Sequence, residues 1–424
     1  MNTFWIERYF PFLLILTGIA FFWSGAMLNI CFYLTALSSF ILLLRTEKIE
    51  RKYLVGAIFK HSTFILMLVW LFFLYMSAFY NQNSPEHISM IANKYKKYFF
   101  VFFYIYLWLF LLRKKIDLTR YITLGLVIGA FATAAFAIIV KLFHIQLPYD
   151  LHISDGGYVF SAGAFVSALL YTVIMGIGFY LICIKKYISG ISLLILGLFG
   201  IFVLLSQRTA YVTAVLLILW LILNLIHSKT IKFLLIFISV AGIVWVLASD
   251  NTVSKRMKMA YSDYQSCIHY IVSHDEPQII AHCETSNGKR LLFWHDAILQ
   301  IKQSPVFGHG LGSADVRSIY GGGIIPHQPN PHQEYLLQGV QIGIIGMLLV
   351  IVMFVMALIK ALLINNSRRY LYAGLVLVYM ISCLFNSFLL DSAEGIFFVI
   401  LFAAIAGEYL YTHSKINVVD KLQK

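Results

Sequence analysis

YLLQGVQIGIIGMLLVIVMFVMALI, residues 335–359, is an unbroken run without Asp, Glu, Lys or Arg. A helix rises about 1.5 Å per residue, so this run can cross a hydrocarbon core of about 30 Å. In lipid the backbone must satisfy its own hydrogen bonds, and a run of this kind therefore reads as a helical span. Working outward, the chain offers twelve such cores in all: 9–25, 27–44, 61–79, 99–112, 120–142, 161–184, 188–206, 209–227, 233–249, 335–359, 371–389 and 395–411. With 60% hydrophobic and only 12% charged residues, 424 residues have too little polar surface for a soluble body. The expectation is an all-α polytopic membrane protein. Spans one to nine occupy 1–249, spans ten to twelve occupy 335–411, and 412–424 form a tail.

Between these two blocks lies a polar island, Asp250–Glu334, which is expected to be a large, partly helical external loop. It holds seven of the 13 histidines: His269, His274, His282, His295, His309, His327 and His332. The formal charge of +13 is spread in a way that excludes a nucleic-acid surface. Basic residues recur in alternate connections: Arg45, Lys48, Arg51 and Lys52; Arg113 to Lys115; Lys185 and Lys186; Lys229 and Lys232; Lys360, Arg368 and Arg369; and the tail. By the positive-inside rule those connections and both termini are cytoplasmic, and the island is on the outer side. The apolar run after Arg8 is followed at once by another, so it reads as a retained span and not a cleaved signal. Cys31, Cys183 and Cys383 fall in spans. Cys267 and Cys283 fall in the island, where they are either bridged or two free thiols.

Several function classes lose support. Span interiors almost lack ionisable residues and show no internal repeat, against an ion-coupled transporter. Gly308 to Gly312 reads as a glycine turn and not a phosphate loop, since no Lys-Ser/Thr follows. No His-Glu-x-x-His or aspartate pair suggests a metal, and no cofactor is implied. An enzyme on this scaffold needs an already activated substrate.

Three positions can carry chemistry. In IPHQPNPHQEYLL, residues 325–337, Asn330 reads as a helix cap, Pro331 as the first helical residue and Gln333 as a capping-box partner, which puts His332 in the first turn. A helix N-terminus disfavours imidazolium, so a neutral ring able to act as general base is expected. An interfacial histidine bonded to backbone or headgroup is the alternative. Arg208, in LLSQRTAYV, sits at headgroup depth on the outer face, where it either grips a phosphate bidentately or snorkels to ordinary lipid. Arg290 opens an amphipathic helix with Leu291, Trp294, Ile298 and Ile301 on one face and Pro305 at its end. It faces an anion or makes a structural salt bridge. Lys94, Lys96 and Lys97 with Tyr95 and Tyr98 read as an outward basic, aromatic belt meeting lipid phosphate.

Together these positions resemble the O-antigen ligase and polymerase superfamily. His332-Gln333, nine residues EYLLQGVQI, Gly343, two residues and Gly346 fit its motif, while QRTA at 207–210 and KRLLFWHDAILQIKQSPVFGHGLGS at 289–313 resemble its arginine segments. The likeness covers roughly 200–350. It implies an O-antigen ligase in the bacterial inner membrane, active on the periplasmic face in lipopolysaccharide biosynthesis. Such an enzyme is a metal-independent, inverting glycosyltransferase that moves a glycan from an undecaprenyl-diphosphate carrier to a sugar hydroxyl of the lipid A core. The resemblance makes His332 the base and has Arg208 and Arg290 hold the diphosphate, with Gln333, His309 and His327 as possible auxiliaries. Chain length favours a ligase over the longer protein-directed enzymes. A polymerase joining lipid-linked repeats is the close alternative, and a non-enzymatic lipid transporter or channel a distant one.

Overall fold

The computed structural model describes residues 3–80, 85–145, 153–154, 157–158, 164–205, 208–249, 252–273, 282–283, 285–313 and 330–413. The apolar runs and two of the connections between them, α3 and α5, become helices: α1 (Thr3–Trp23), α2 (Gly25–Arg45), α3 (Lys48–Phe59), α4 (Ser62–Met76), α5 (Pro85–Tyr95), α6 (Val101–Arg113), α7 (Leu118–Leu142), α8 (Ala164–Cys183), α9 (Tyr187–Phe199), α10 (Arg208–Leu225) and α11 (Lys229–Ala248). The island supplies α12 (Thr252–Ser273) and α13 (Ser286–Gln303). After it come α14 (Glu334–Leu362), α15 (Arg368–Ser382) and α16 (Ser392–His413). A two-residue β pairing, Ile153–Ser154 with Gly157–Tyr158, is the small departure from an all-helical fold among the described residues. Eight of the described helices are long and apolar enough to span a membrane, with Arg8–Trp23 and Thr209–Leu225 as shorter apolar helices. The chain is thus a polytopic helical membrane protein.

The last helix is the central one. α16 is buried along nearly its whole length and packs on α6, which is buried on almost every side. Phe354, Tyr379 and Phe398 interlock where α14, α15 and α16 meet. Between α1 and α7 the backbones touch at Gly18 and Gly125; a Cβ on Gly125 would overlap the Ile15 carbonyl, so only a residue without one permits this approach.

At the end of the bundle where α6, α14 and α16 finish, basic connections are tied down by acids. Arg113 pairs with Glu50 at 3.1 Å, and Arg368 reaches Asp117 at 2.8 Å and Glu408 at 3.3 Å. At the opposite end α14 and α16 begin, and there the island packs on α14 through α13.

α14 is not one continuous helix. Gly343 has φ 70° and ψ −165°, which breaks it after a short first segment. The segment after α13 enters the break: His309 N–H donates to Val340 O at 2.8 Å, Gly310 N–H to Gln341 O at 2.9 Å, and Ile344 N–H to Pro305 O at 2.8 Å. Those bonds satisfy the groups that the break frees, as a membrane span requires. A side chain at Gly343 would run into the Val306 carbonyl and would be strained at that φ. The first glycine of the His-Gln motif therefore joins the island to the span.

Candidate active site

His332 lies outside α14, contrary to the expected first-turn position. The helix starts at Glu334, and Gln333 is its cap, accepting from Leu336 N–H. His332 itself is left-handed, at φ 52°. Asn330 caps no helix either: its Oδ1 accepts from His332 N–H at 2.6 Å and from the Ser387 hydroxyl at 2.6 Å. The tight turn is held by a residue from the connection between α15 and α16, and the local capping pattern gives way to it. The helix-terminus argument for a neutral ring falls with it.

A different device orients the imidazole. Asn386 Nδ2 donates to Asp391 Oδ2 at 2.9 Å, so its Oδ1 faces His332 Nδ1, 3.1 Å away. An amide oxygen only accepts, which requires the proton on Nδ1 and, in the neutral ring, puts the lone pair on Nε2. The amide orientation is assigned from this network. Burial pushes the Asp391 carboxyl upward in pKa, and the nearby Lys97 ammonium opposes that shift.

The floor beneath this chain is buried and hydrogen-bonded throughout. Glu334 is fully buried; its N–H donates to Cys383 O at 2.8 Å, and its carboxylate accepts from Leu389 N–H and Gln338 Nε2, both at 2.8 Å. Gln338 in turn meets the Trp70 indole N–H at 3.0 Å and the Tyr95 hydroxyl at 3.1 Å. The expected outward belt is corrected here. Lys94 and Lys96 are exposed, but Lys97, Tyr95 and Tyr98 are buried. The Lys97 ammonium donates to the carbonyls of Asp391 at 2.6 Å and Leu390 at 3.2 Å.

α13 closes the other side. Thr285 caps it by accepting from Gly288 N–H, and the Cys267–Cys283 bridge, Cα–Cα 5.0 Å, joins its entrance to α12. Phe293, three residues after Arg290 on the same face, places its ring 6.3 Å from the His332 imidazole. Arg290 is half-buried beside it. Asp296, one turn further, is 1% exposed, and neither oxygen has a hydrogen-bond partner among the described residues. Burial alone lifts its pKa to about 7.

The remaining expected residues are distributed as follows. His309 is held, with Nε2 2.8 Å from Gln300 O, and serves the junction at the α14 break. Arg208 opens α10, whose far end donates from Trp220 to Tyr370 O near the start of α15, so Arg208 belongs to the end where His332 lies. The Arg208 side chain and all of His327 lie outside the described residues. Asn386, Asp391 and Asp296 escaped the sequence reading; the polar cluster NSFLLDS at 386–392, between two spans, was the available signal. Among the described residues no three His, Cys, Asp or Glu side chains gather as a metal site.

Residues 191–351 match the family model described as O-antigen ligase. This stretch, less than half of the chain, is similar to the O-antigen ligase superfamily. That segment contains Arg208, Arg290, His309, His332, Gly343 and Gly346, and so includes the α14 break and every residue singled out in the island. Members of this superfamily are glycosyltransferase-like enzymes whose partners in general are lipid-linked glycans and lipid A core. The chain is also 27% identical over 195 residues to an uncharacterized protein of Haemophilus influenzae, across 43% of this chain and 46% of that protein. It thus spans about half the length of that relative.

Proposed function

We propose that the protein is an O-antigen ligase of the bacterial inner membrane, with its polar island and active site on the periplasmic face. The observation that carries this reading is the Asp391–Asn386–His332 hydrogen-bond chain, built on the histidine of the superfamily motif, which leaves Nε2 free to accept a proton. A sugar hydroxyl of the lipid A core attacks the anomeric carbon of the glycan on undecaprenyl diphosphate while His332 Nε2 takes its proton. The new glycosidic bond forms as the anomeric C–O bond to phosphate breaks, with inversion. The electron pair leaves on the diphosphate, where Arg208 and Arg290 stabilise the developing charge. Two guanidinium forks supply what a metal supplies elsewhere, so transfer is expected to persist in chelator. Loss in chelator with recovery on adding magnesium overturns that part of the mechanism.

The deciding assay offers purified protein a lipid-linked glycan together with either lipid A core or a second lipid-linked glycan. Product on the core identifies a ligase; product only on the second carrier identifies a polymerase and overturns the proposal. Arg208→Lys and Arg290→Lys keep charge but lose the fork, and wild-type rates in both count against a diphosphate clamp.

A further inference from the structure

The His332 chain ends on a loop, residues 383–391, built of single turns: Leu390 and Asp391 N–H both donate to Ser387 O at 3.1 Å, and the Asp391 carbonyl accepts from Gly395 N–H at 3.1 Å. The mechanism above does not use the group beneath that loop. Lys97 is 4% exposed, and its ammonium is bonded to the Leu390 and Asp391 carbonyls. Space for it is reserved: a Cβ on Gly395 would overlap Lys97 Cε. Burying an ammonium costs several kcal/mol unless it is paired, and an apolar side chain would fill this position at less cost. Asp391, Glu394 and Glu334 face the ammonium as acids and Lys94 as a like charge, while His332 and Lys94 face Asp391.

We infer that Lys97 is a positioning residue for the His332 base: by clamping the Leu390 and Asp391 carbonyls it fixes the loop that presents Asp391 and Asn386 to the imidazole. This rests on His332 being the base of glycosyl transfer. Lys97 touches no substrate, so its removal acts on the base and not on binding. In Lys97→Met, kcat falls by about 10²-fold, the lower end of what a placed base contributes, while both KM values hold. The loss of a nearby cation also favours imidazolium, so the pH midpoint for modification of His332 by diethyl pyrocarbonate, read by mass spectrometry without substrate, moves upward.

Gly395→Ala reaches the same place without altering Lys97 chemically, because its methyl meets both Cε and Nζ and so displaces the ammonium together with its stem. It is expected to reproduce the kcat loss and the labelling shift, and the double variant should be no worse than the more impaired single one. A folded Lys97→Met enzyme with wild-type kcat and an unmoved labelling midpoint overturns the inference, as do losses in the two single variants that simply add. Should Lys97→Met fail to fold, Gly395→Ala carries the test by itself. Labelling needs no turnover, so a shifted midpoint in an enzyme that transfers no glycan would leave the clamp standing and remove the proposed function.

Discussion

At one end of α16, Glu408 accepts from Asn366 and Tyr372, both at 2.8 Å, and pairs with Arg368, which is itself held by Asp117. At the other end, Asp391 is bonded through Asn386 to a histidine whose second nitrogen has no hydrogen-bond partner among the described residues, and among the same residues Asp296 on the adjoining α13 has neither oxygen bonded. Both ends bury charge at the margin of a membrane bundle, where an unpaired group is costly. A network closed on itself acts as a fastening, because it has no capacity left for a ligand. Unused capacity beside a left-handed histidine is what supports the proposal that chemistry is done at that end.

The largest effect should come from the open end. His332→Ala is expected to cost about 10²–10⁴-fold in transfer, with an unchanged melting temperature in detergent; a folded variant that still transfers removes the base. Asn386→Leu should produce much of the same loss, since it frees the ring to rotate and change tautomer. At the closed end the outcome inverts. Glu408→Leu strands Arg368 and should destabilise the fold by about 3–5 kcal/mol in a denaturation series, while the folded fraction keeps its kcat. If Glu408→Leu instead slows chemistry at constant stability, the contrast between the two ends is wrong.

Two smaller effects sharpen the contrast within α13. Serine at both Cys267 and Cys283, or reductant, should cost about 3 kcal/mol of stability through the loop those residues close. It should also raise the KM for the lipid-linked donor, because Gly288 rests against Cys283 just ahead of Arg290. The Asp296 carboxyl titrates near 7 in the fold against 3.8 ordinarily. As pH climbs the unfolded chain loses this proton first, so the native state should lose about 2 kcal/mol between pH 4 and 7 and no more above it. Asp296→Leu should flatten that decline; a melting curve just as pH-dependent in the variant would assign the slope to another group.

The sequence was legible where a property belongs to a run of residues. Hydropathy located the apolar helices though not their exact number as spans, and the island's patterning found α13 and its Pro305 limit; it left bridged or free thiols open for Cys267 and Cys283, which the fold joins. It misled where a single side chain has a choice of partner. Asn330-Pro331 has the grammar of a helix start, yet Ser387, distant in sequence, claims the Asn330 oxygen and the helix begins later. KYKKY reads as a surface belt, yet the 390–391 carbonyls draw Lys97 inside.

Length, apolarity and charge spacing thus determined alone that this chain is a multi-pass helical bundle with a polar island and a histidine motif beside a span. Those are solvent-transfer properties, and they accumulate locally along the chain. Tertiary structure decided that α14 breaks at Gly343 to admit the 305–310 segment, that His332 is oriented by Asn386 and Asp391, and that Lys97 lies beneath them. Each of those depends on a hydrogen bond between residues far apart in the sequence, and only the folded chain brings such partners within reach.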